Sequence, residues 1–485
     1  MDNFCVKLAA DIIDRPVHHI ITLSLLSSRF PSCWKLSKVI PLHKKDSPLE
    51  CKNYRPVAIL SPLSKILERI VFEQFYDYFT LNKIFHPNLH GYRHGRSTQT
   101  ALLTMYDRWV KAAVSEEVSG VVLLDLSTAF DLVDPDLLIK KLEIYGVDRD
   151  GLQWIYSYLT DRYQGVWVDH VLSAFLQCEV GVPQGSILGP LLFLIFFNDL
   201  PSSIKSSVDS YADDTTITAT GKKVEEISQA LTRDCGIVSD WMRSNRLKLN
   251  PDKTHLITVG TGERLRHTED LQVSMDNIRL QQDQDKCELL LGCKIQGNLR
   301  WKNQLKDLKS KLRTRLAGLA KLRFILNLPL RKSICDGIFN SVLVYCLPLC
   351  GGMDLGDLRD LQILQNRAAQ IVTRSPPRAH RVTMYDHLKW LTVNQLIVYH
   401  SVITIFKIRK NNEPEYLASL FCQDTRNRRI FIPNWNLSLG QRSFRIRGST
   451  NWNLLPLSVR TEPKIGTFKK LAKKWIMENV QKFQD

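Results

Sequence analysis

The chain has 485 residues, 44% of them hydrophobic, which is enough to bury a large core and excludes a disordered tail. Its 66 Lys and Arg against 49 Asp and Glu leave a formal charge of +17, a surplus that favours a polyanionic partner over a small acidic metabolite. Eleven cysteines, an odd number without a C-x-x-C pair or a secretory signal, predict reduced thiols in an intracellular protein and exclude a disulfide framework.

Residues 1–30 read as a helix with no recognisable opening motif. Two β-like runs follow, Lys38 to Asp46 and Tyr54 to Leu60, joined by a polar turn so that Lys44, Lys45 and Arg55 share one hairpin. A planar fork and a point charge grouped in this way suit a triphosphate, although lysines also blunt the edges of ordinary hairpins. Ser61-Pro62 opens an apolar-striped scaffold helix. The loop Gly91-Tyr-Arg93-His-Gly95-Arg96-Ser97 then offers backbone amides and two arginines to a phosphate backbone, or serves as a turn and cap, before helical spacing resumes from Thr98 to Val114.

The run Gly120-Val-Val-Leu-Leu-Asp125 ends a strand apolar enough for burial on both faces, where an unpaired carboxylate is costly. Phe130, five residues on, is either core packing or the floor of a nucleotide pocket that would collide with a ribose 2′-hydroxyl. A helix is predicted from Asp136 to Tyr145. Gly181-Val-Pro-Gln184-Gly185-Ser allows close backbone approach to a ligand, with Gln184 able to hydrogen-bond a base edge or sugar. The longest apolar run, Ile187 to Phe197, is too short to cross a bilayer and reads as a core helix, so no membrane partner is expected.

Tyr211-Ala-Asp213-Asp214 lies between two short β-like runs. Alone, an Asp-Asp turn is a solvated loop. Strands that bring Asp125 beside Asp213 and Asp214 would gather three carboxylates, which need a hard, oxygen-seeking counter-charge such as Mg2+. Two such ions roughly 3.5–4 Å apart serve in-line displacement at phosphorus, so the grouping predicts phosphoryl transfer. Beyond it come an amphipathic helix from Glu225 to Arg243, a turn carrying Lys253, the strand His255 to Val259, a polar stretch 260–286 and a last strand from Leu289 to Ile295. Lys253 is placed to protonate departing pyrophosphate; a solvated surface lysine is the plainer reading.

From Trp301 to Leu322 leucines recur at helical spacing while Lys302, Lys306, Lys309 and Arg313 occupy the remaining surface, suiting a helix that packs on the protein and lays cations along a duplex. Cys346 and Cys350 fit no common zinc pattern and read as a packed thiol pair. Residues 375–382 read as a linker, 383–416 as helical, 417–447 as basic and irregular, and Thr467 as the cap of a final helix.

Taken together, Asn53-Tyr-Arg-Pro56, Leu-Leu-Asp125-Leu-Ser-Thr-Ala-Phe130-Asp131, Gly181-Val-Pro-Gln-Gly-Ser-Ile-Leu-Gly-Pro190 and Tyr211-Ala-Asp-Asp214 resemble the reverse transcriptases of non-LTR (LINE-type), jockey-like retrotransposons. The likeness extends more loosely through Leu361 to Ala369 and Gly448 to Pro456, and departs at positions 89–90, which read Leu-His where the family usually has Gln and a small or polar residue.

The resemblance implies an α+β right-hand polymerase with fingers, a palm with an antiparallel sheet, a helical thumb and a mainly helical carboxy-terminal segment. The expected divisions are a helical lead-in (1–33), fingers and palm (34–297), thumb (298–374) and a basic carboxy-terminal segment (375–485). It implies RNA-directed DNA synthesis from dNTPs, with two Mg2+ on Asp125, Asp213 and Asp214, which are at once catalytic and metal-binding. Phe130 would be the sugar gate, Gln184 and Gly185 would lie by the incoming nucleotide, and Lys44 and Arg55, with Lys253, would serve the triphosphate. Arg93, Arg96, Lys302, Lys306, Lys309 and Arg313 would contact nucleic acid. The element's RNA is the implied template and a nicked DNA strand the primer, which sets the expected location in nucleus and cytoplasm. The family's upstream endonuclease and a ribonuclease H motif set are not seen in these 485 residues. Two alternatives stand beside this: a telomerase-like or group II intron-type polymerase on the same palm, against which the motif wording around Asp125 and Gln184 argues, and a catalytically silent RNA-binding relic or domesticated reverse-transcriptase-like protein, which loss of any of the three aspartates would have favoured; none is lost.

Overall fold

The computed structural model describes the chain except for residues 1–2, 45–46, 125, 127–128, 250–253, 269–270, 283–286, 377, 423, 425 and 480–485. Two of the expected site residues, Asp125 and Lys253, therefore lie outside the described residues, as does Lys45.

The apolar run of Val118–Leu124 forms the middle of a sheet whose strand order is Gln281–Gln282, His255–Val259, Val118–Leu124, Asp214–Gly221, Ser207–Tyr211. Val118–Leu124 pairs antiparallel with both of its neighbours. Because side chains alternate across a strand, this sheet divides two cores. Val122, Leu124 and Leu256 face one side with the Gly189–Phe196 and Val224–Ser244 helices. Val121, Ile257 and Val259 face the other, against the Thr98–Val114 helix. That helix begins where the sequence places it, and the reason is a capping box in which Ser97 and Thr100 each satisfy the other's backbone N–H.

A second sheet pairs Leu36–His43 antiparallel with Tyr54–Ile59, the predicted hairpin, and parallel with Arg162–Val168. Leu42 stands opposite Arg55.

The Lys302–Leu322 helix buries Leu305, Leu308, Leu312, Leu316 and Leu319 and packs against the Leu355–Thr373 helix. Among the described residues the core continues past 375–382, the stretch expected to be a linker: Val372, Met384, Val402, Trp452 and Phe468 join Ala101, Trp109 and Leu312 in one cluster. The stretch Arg381–Asn411 is long and apolar enough to cross a bilayer, but 67% of its most apolar window is buried against protein, as a core helix would be.

Three elements differ from expectation. The single strand expected over 289–295 is a hairpin, Cys287–Leu290 with Cys293–Gln296, turning at Leu291 and Gly292, both with positive φ. The region 417–447, expected to be irregular, holds the end of the Glu415–Leu420 helix, the Ser438–Gln441 helix and the start of the Phe444–Leu454 helix, the last capped by the Ser443 side chain on Ile446 N–H. The last helix begins at Ile465, with Lys464 before it in place of the expected Thr467 cap.

Candidate active site

Ser207–Tyr211 and Asp214–Gly221 form a hairpin in which Tyr211 pairs with Asp214, leaving Ala212 and Asp213 as the tip. Ala212 takes the left-handed conformation that a tight two-residue turn needs, with φ 58°. Ser210 and Thr215 are buried and share a 3.0 Å hydroxyl contact, whereas Asp213 and Asp214 are exposed. Next to this tip, Leu124 pairs with Thr215, one step from Asp214, and is the last described residue before Asp125.

Beneath the tip lies a buried charge group. Asp209 accepts from Arg108 at 2.6 Å and meets His90 Nε2 at 3.2 Å, and Arg108 also donates to Ser207. Burial holds the His90 pKa below its ordinary value although Asp209 opposes this, so Asp209 answers chiefly to Arg108.

The loop 86–96 runs along the hairpin. His90 N–H donates to Ser210 O at 2.8 Å and Ser210 N–H to Asn88 O at 3.0 Å. Gly91 lies against the turn so closely that a Cβ there would come within 2.5 Å of Ala212 N, which only glycine avoids. Tyr92 then overhangs the tip. Burial raises its phenol pKa, Asp213 and Tyr211 raise it further, and Arg55 from the Tyr54–Ile59 strand lowers it. Asp213, Tyr92 and Arg55 are thus electrostatic neighbours. In the sequence only its place between Gly91 and Arg93 marks Tyr92.

Phe130 is half-buried, stacked on Phe193 at 4.4 Å and edge-on to Tyr92 at 6.1 Å. Beside it the 181–186 loop is held from both sides. Val182 N–H donates to Phe130 O, and Ala58 N–H donates to Gln184 O at 2.7 Å. Gln184 Nε2 donates to Asp131 Oδ1, also at 2.7 Å, and burial raises the Asp131 pKa. Gly185, at φ +115°, approaches Ala58 O so closely that a Cβ would meet it at 2.6 Å. Lys44 and Arg55 are both exposed on the hairpin of Leu36–His43 and Tyr54–Ile59.

The predicted nucleic-acid contacts separate. Arg93 and Arg96 are turned inward, their side chains 10% and 1% exposed, and both are paired with Glu413; the phosphate-gripping role expected of them gives way to this carboxylate. Lys309 is likewise spent on Asp357 and Asp360, each at 2.9 Å. Lys302, Lys306 and Arg313 remain exposed on the same helix.

Among the described residues no three His, Cys, Asp or Glu side chains gather as a metal site. Asp213 and Asp214 nevertheless offer hard oxygen donors at an exposed tip, the donor chemistry Mg2+ takes. Cys346 and Cys350 are buried with Cys293, and their surroundings raise the Cys346 thiol pKa, as for inert packed thiols.

The family model described as reverse transcriptase (RNA-dependent DNA polymerase) matches residues 42–306. The chain is 27% identical over 436 residues to the probable RNA-directed DNA polymerase from transposon BS of Drosophila melanogaster, covering 85% of this chain and 47% of that protein. It is 25% identical over 389 residues to the RNA-directed DNA polymerase from mobile element jockey of the same organism, covering 78% and 42%. The chain thus spans less than half the length of these relatives. Among solved structures, apo telomerase from Candida tropicalis shares 10% identity, with a TM-score of 0.42, over 80% of this chain and 63% of that one.

Proposed function

The chain belongs to the reverse transcriptase (RNA-dependent DNA polymerase) family, and from that premise we propose that it is the RNA-directed DNA polymerase of a non-LTR retrotransposon. It would extend a primer 3′-hydroxyl on an RNA template, the oxygen attacking the α-phosphorus of a dNTP as the bond to pyrophosphate breaks. The observation that carries this reading is the exposed Asp213-Asp214 tip beside the strand that leads into Asp125.

Asp213 and Asp214, with Asp125, would hold two Mg2+ ions, which when bound activate the attacking hydroxyl and stabilise the leaving oxygen. The protein's own groups bind and orient. Arg55 and Lys44 would meet the triphosphate from the finger hairpin, Arg55 as a planar fork and Lys44 as a point charge. The Phe130 ring, fixed by Phe193 and Tyr92, would stand where a 2′-hydroxyl would fall. Gln184, tethered through Nε2 to Asp131, would present the rest of its amide to the nucleotide, with Gly185 letting the backbone approach. Lys253 would protonate pyrophosphate. The template would be the element's own RNA and the primer a nicked genomic strand, which places the reaction in the nucleus after synthesis in the cytoplasm.

Purified protein given an RNA template, a DNA primer, Mg2+ and four dNTPs is expected to extend the primer. Asp213→Asn is expected to abolish extension and leave primer–template binding nearly unchanged. Equal extension by wild type and variant would remove the assignment.

A further inference from the structure

Glu413 lies in the carboxy-terminal segment, more than 100 residues beyond the end of the family match, yet its side chain reaches the loop beside the active-site tip. One carboxylate is forked between two guanidiniums: Oε1 accepts from Arg93 at 3.1 Å, and Oε2 from Arg96 Nε at 2.8 Å. Those arginines in turn hold the loop's carbonyls. Arg93 donates to His86 O and Leu89 O, and Arg96 to Pro87 O and Leu89 O. The same loop carries the backbone bonds to Ser210 and the close contact of Gly91 with Ala212.

A second peg lies nearby. Tyr416 Oη donates to Asp107 at 2.9 Å, and its ring lies 4.7 Å under Arg108, the residue that holds Asp209 two positions before Tyr211. Two contacts of one short segment therefore converge on the strand that ends at the tip.

Building on the polymerase reading, we propose that Glu413 is a positioning residue of polymerisation: from the carboxy-terminal segment it clamps the 86–96 loop against the Tyr211–Asp214 turn and so sets where the Asp213 carboxylate stands. Two neighbouring buried guanidiniums repel each other, and Glu413 is the carboxylate that compensates both. Removing one member of such a buried group leaves uncompensated charge, which is relieved by moving the loop outward into water. A displacement on the order of 1 Å at a reacting carboxylate costs roughly 100-fold in rate.

The test uses the full chain with Glu413→Ala, Glu413→Gln and Glu413→Asp. Trypsin, which cuts after arginine, is expected to leave Arg93 and Arg96 intact in the wild type and to cut there in Glu413→Ala. In parallel kcat is expected to fall by roughly 10–100-fold, with primer–template Kd near the wild-type value. Glu413→Asp, which keeps the charge, is expected to restore protection and most of the rate. Should the alanine variant fail to fold, Glu413→Gln, which keeps the shape but not the charge, carries both readouts.

Unchanged cleavage, or new cleavage with unchanged kcat, would overturn the proposal. A wild type that never extends a primer would remove the polymerase reading, whereas an active wild type with an equally active Glu413→Ala would remove only the role of Glu413.

Discussion

Phe130 is fixed by its neighbours before any substrate arrives, stacked on the fully buried Phe193 and met edge-on by Tyr92. Offset-stacked and edge-to-face rings contribute about 0.5–1.5 kcal/mol beyond their area, so the ring resists being pushed aside by a hydroxyl. Phe130→Val is therefore expected to admit ribonucleotides that the wild type rejects. The measurement is the ratio of kcat/KM for dNTP and NTP; an unchanged ratio would leave Phe130 as packing alone. The same scale shows what a residue type cannot reveal. Arg93 and Arg96 have the chemistry to grip phosphate, and their positive charge is legible in the sequence. Their partner is 320 and 317 residues away in the chain, and nothing local announces it.

Among the elements, the Gly189–Phe196 helix begins with Gly189 N–H donating to the Ser186 hydroxyl at 2.9 Å, and the preceding Ile187 and Leu188 N–H groups donate to Glu68 on the Pro62–Leu81 helix, at 2.8 and 3.3 Å. Leaving two buried donors unpaired costs about 1–3 kcal/mol each, so Glu68→Ala should lower stability by about 2–6 kcal/mol in denaturant unfolding. Burial is the largest influence on Glu68 and raises its pKa. A carboxyl raised in the folded state favours folding while protonated in both states, and that contribution is lost as pH rises through the folded value. Wild type should therefore lose stability relative to Glu68→Gln as pH climbs from about 4 towards 7. Parallel melts across that range decide it, and curves that do not diverge would count against the ionised carboxylate being the cost.

Thr98–Val114 and His255–Val259 were legible although both are buried on nearly every side, the helix because apolar residues recur at helical spacing after the Ser97 cap, the strand because a short apolar run follows a turn. Periodicity missed the reversal at Leu291-Gly292, since alternation persists on both sides of a two-residue turn. It also missed Phe444–Leu454, whose buried positions include Gly448 and Ser449 and so draw no apolar stripe. At the site the Asp-Asp tip and the hairpin that carries Arg55 were legible, while Tyr92 depended on a loop folding back against the tip.

For the molecule as a whole, charge is unevenly spread. Residues 375–485 hold 19 Lys and Arg against seven Asp and Glu, a surplus of 12 out of the chain's 17. The Lys302–Leu322 helix shows why counting cations overstates contacts, since Lys309 is already neutralised by Asp357 and Asp360. Replacing Lys302, Lys306 and Arg313 by Ala should flatten the slope of log affinity against log salt by about two units, at 0.7–0.9 per lost phosphate contact. Lys309→Ala should leave that slope unaltered. A triple variant with the wild-type slope would show that this face only meets water.

The clamp on the 86–96 loop also has an order in time. A chain emerging from the ribosome at about 5–20 residues per second presents Arg93 some 16–64 s before Glu413, 320 residues later, can reach it. Through that interval two guanidiniums and the strand beside the tip await a partner not yet made. A nascent chain halted before residue 413 would carry the tip and the 86–96 loop without the lock that holds one against the other, so synthesis of the tail would act as the last step in switching on the front of the protein.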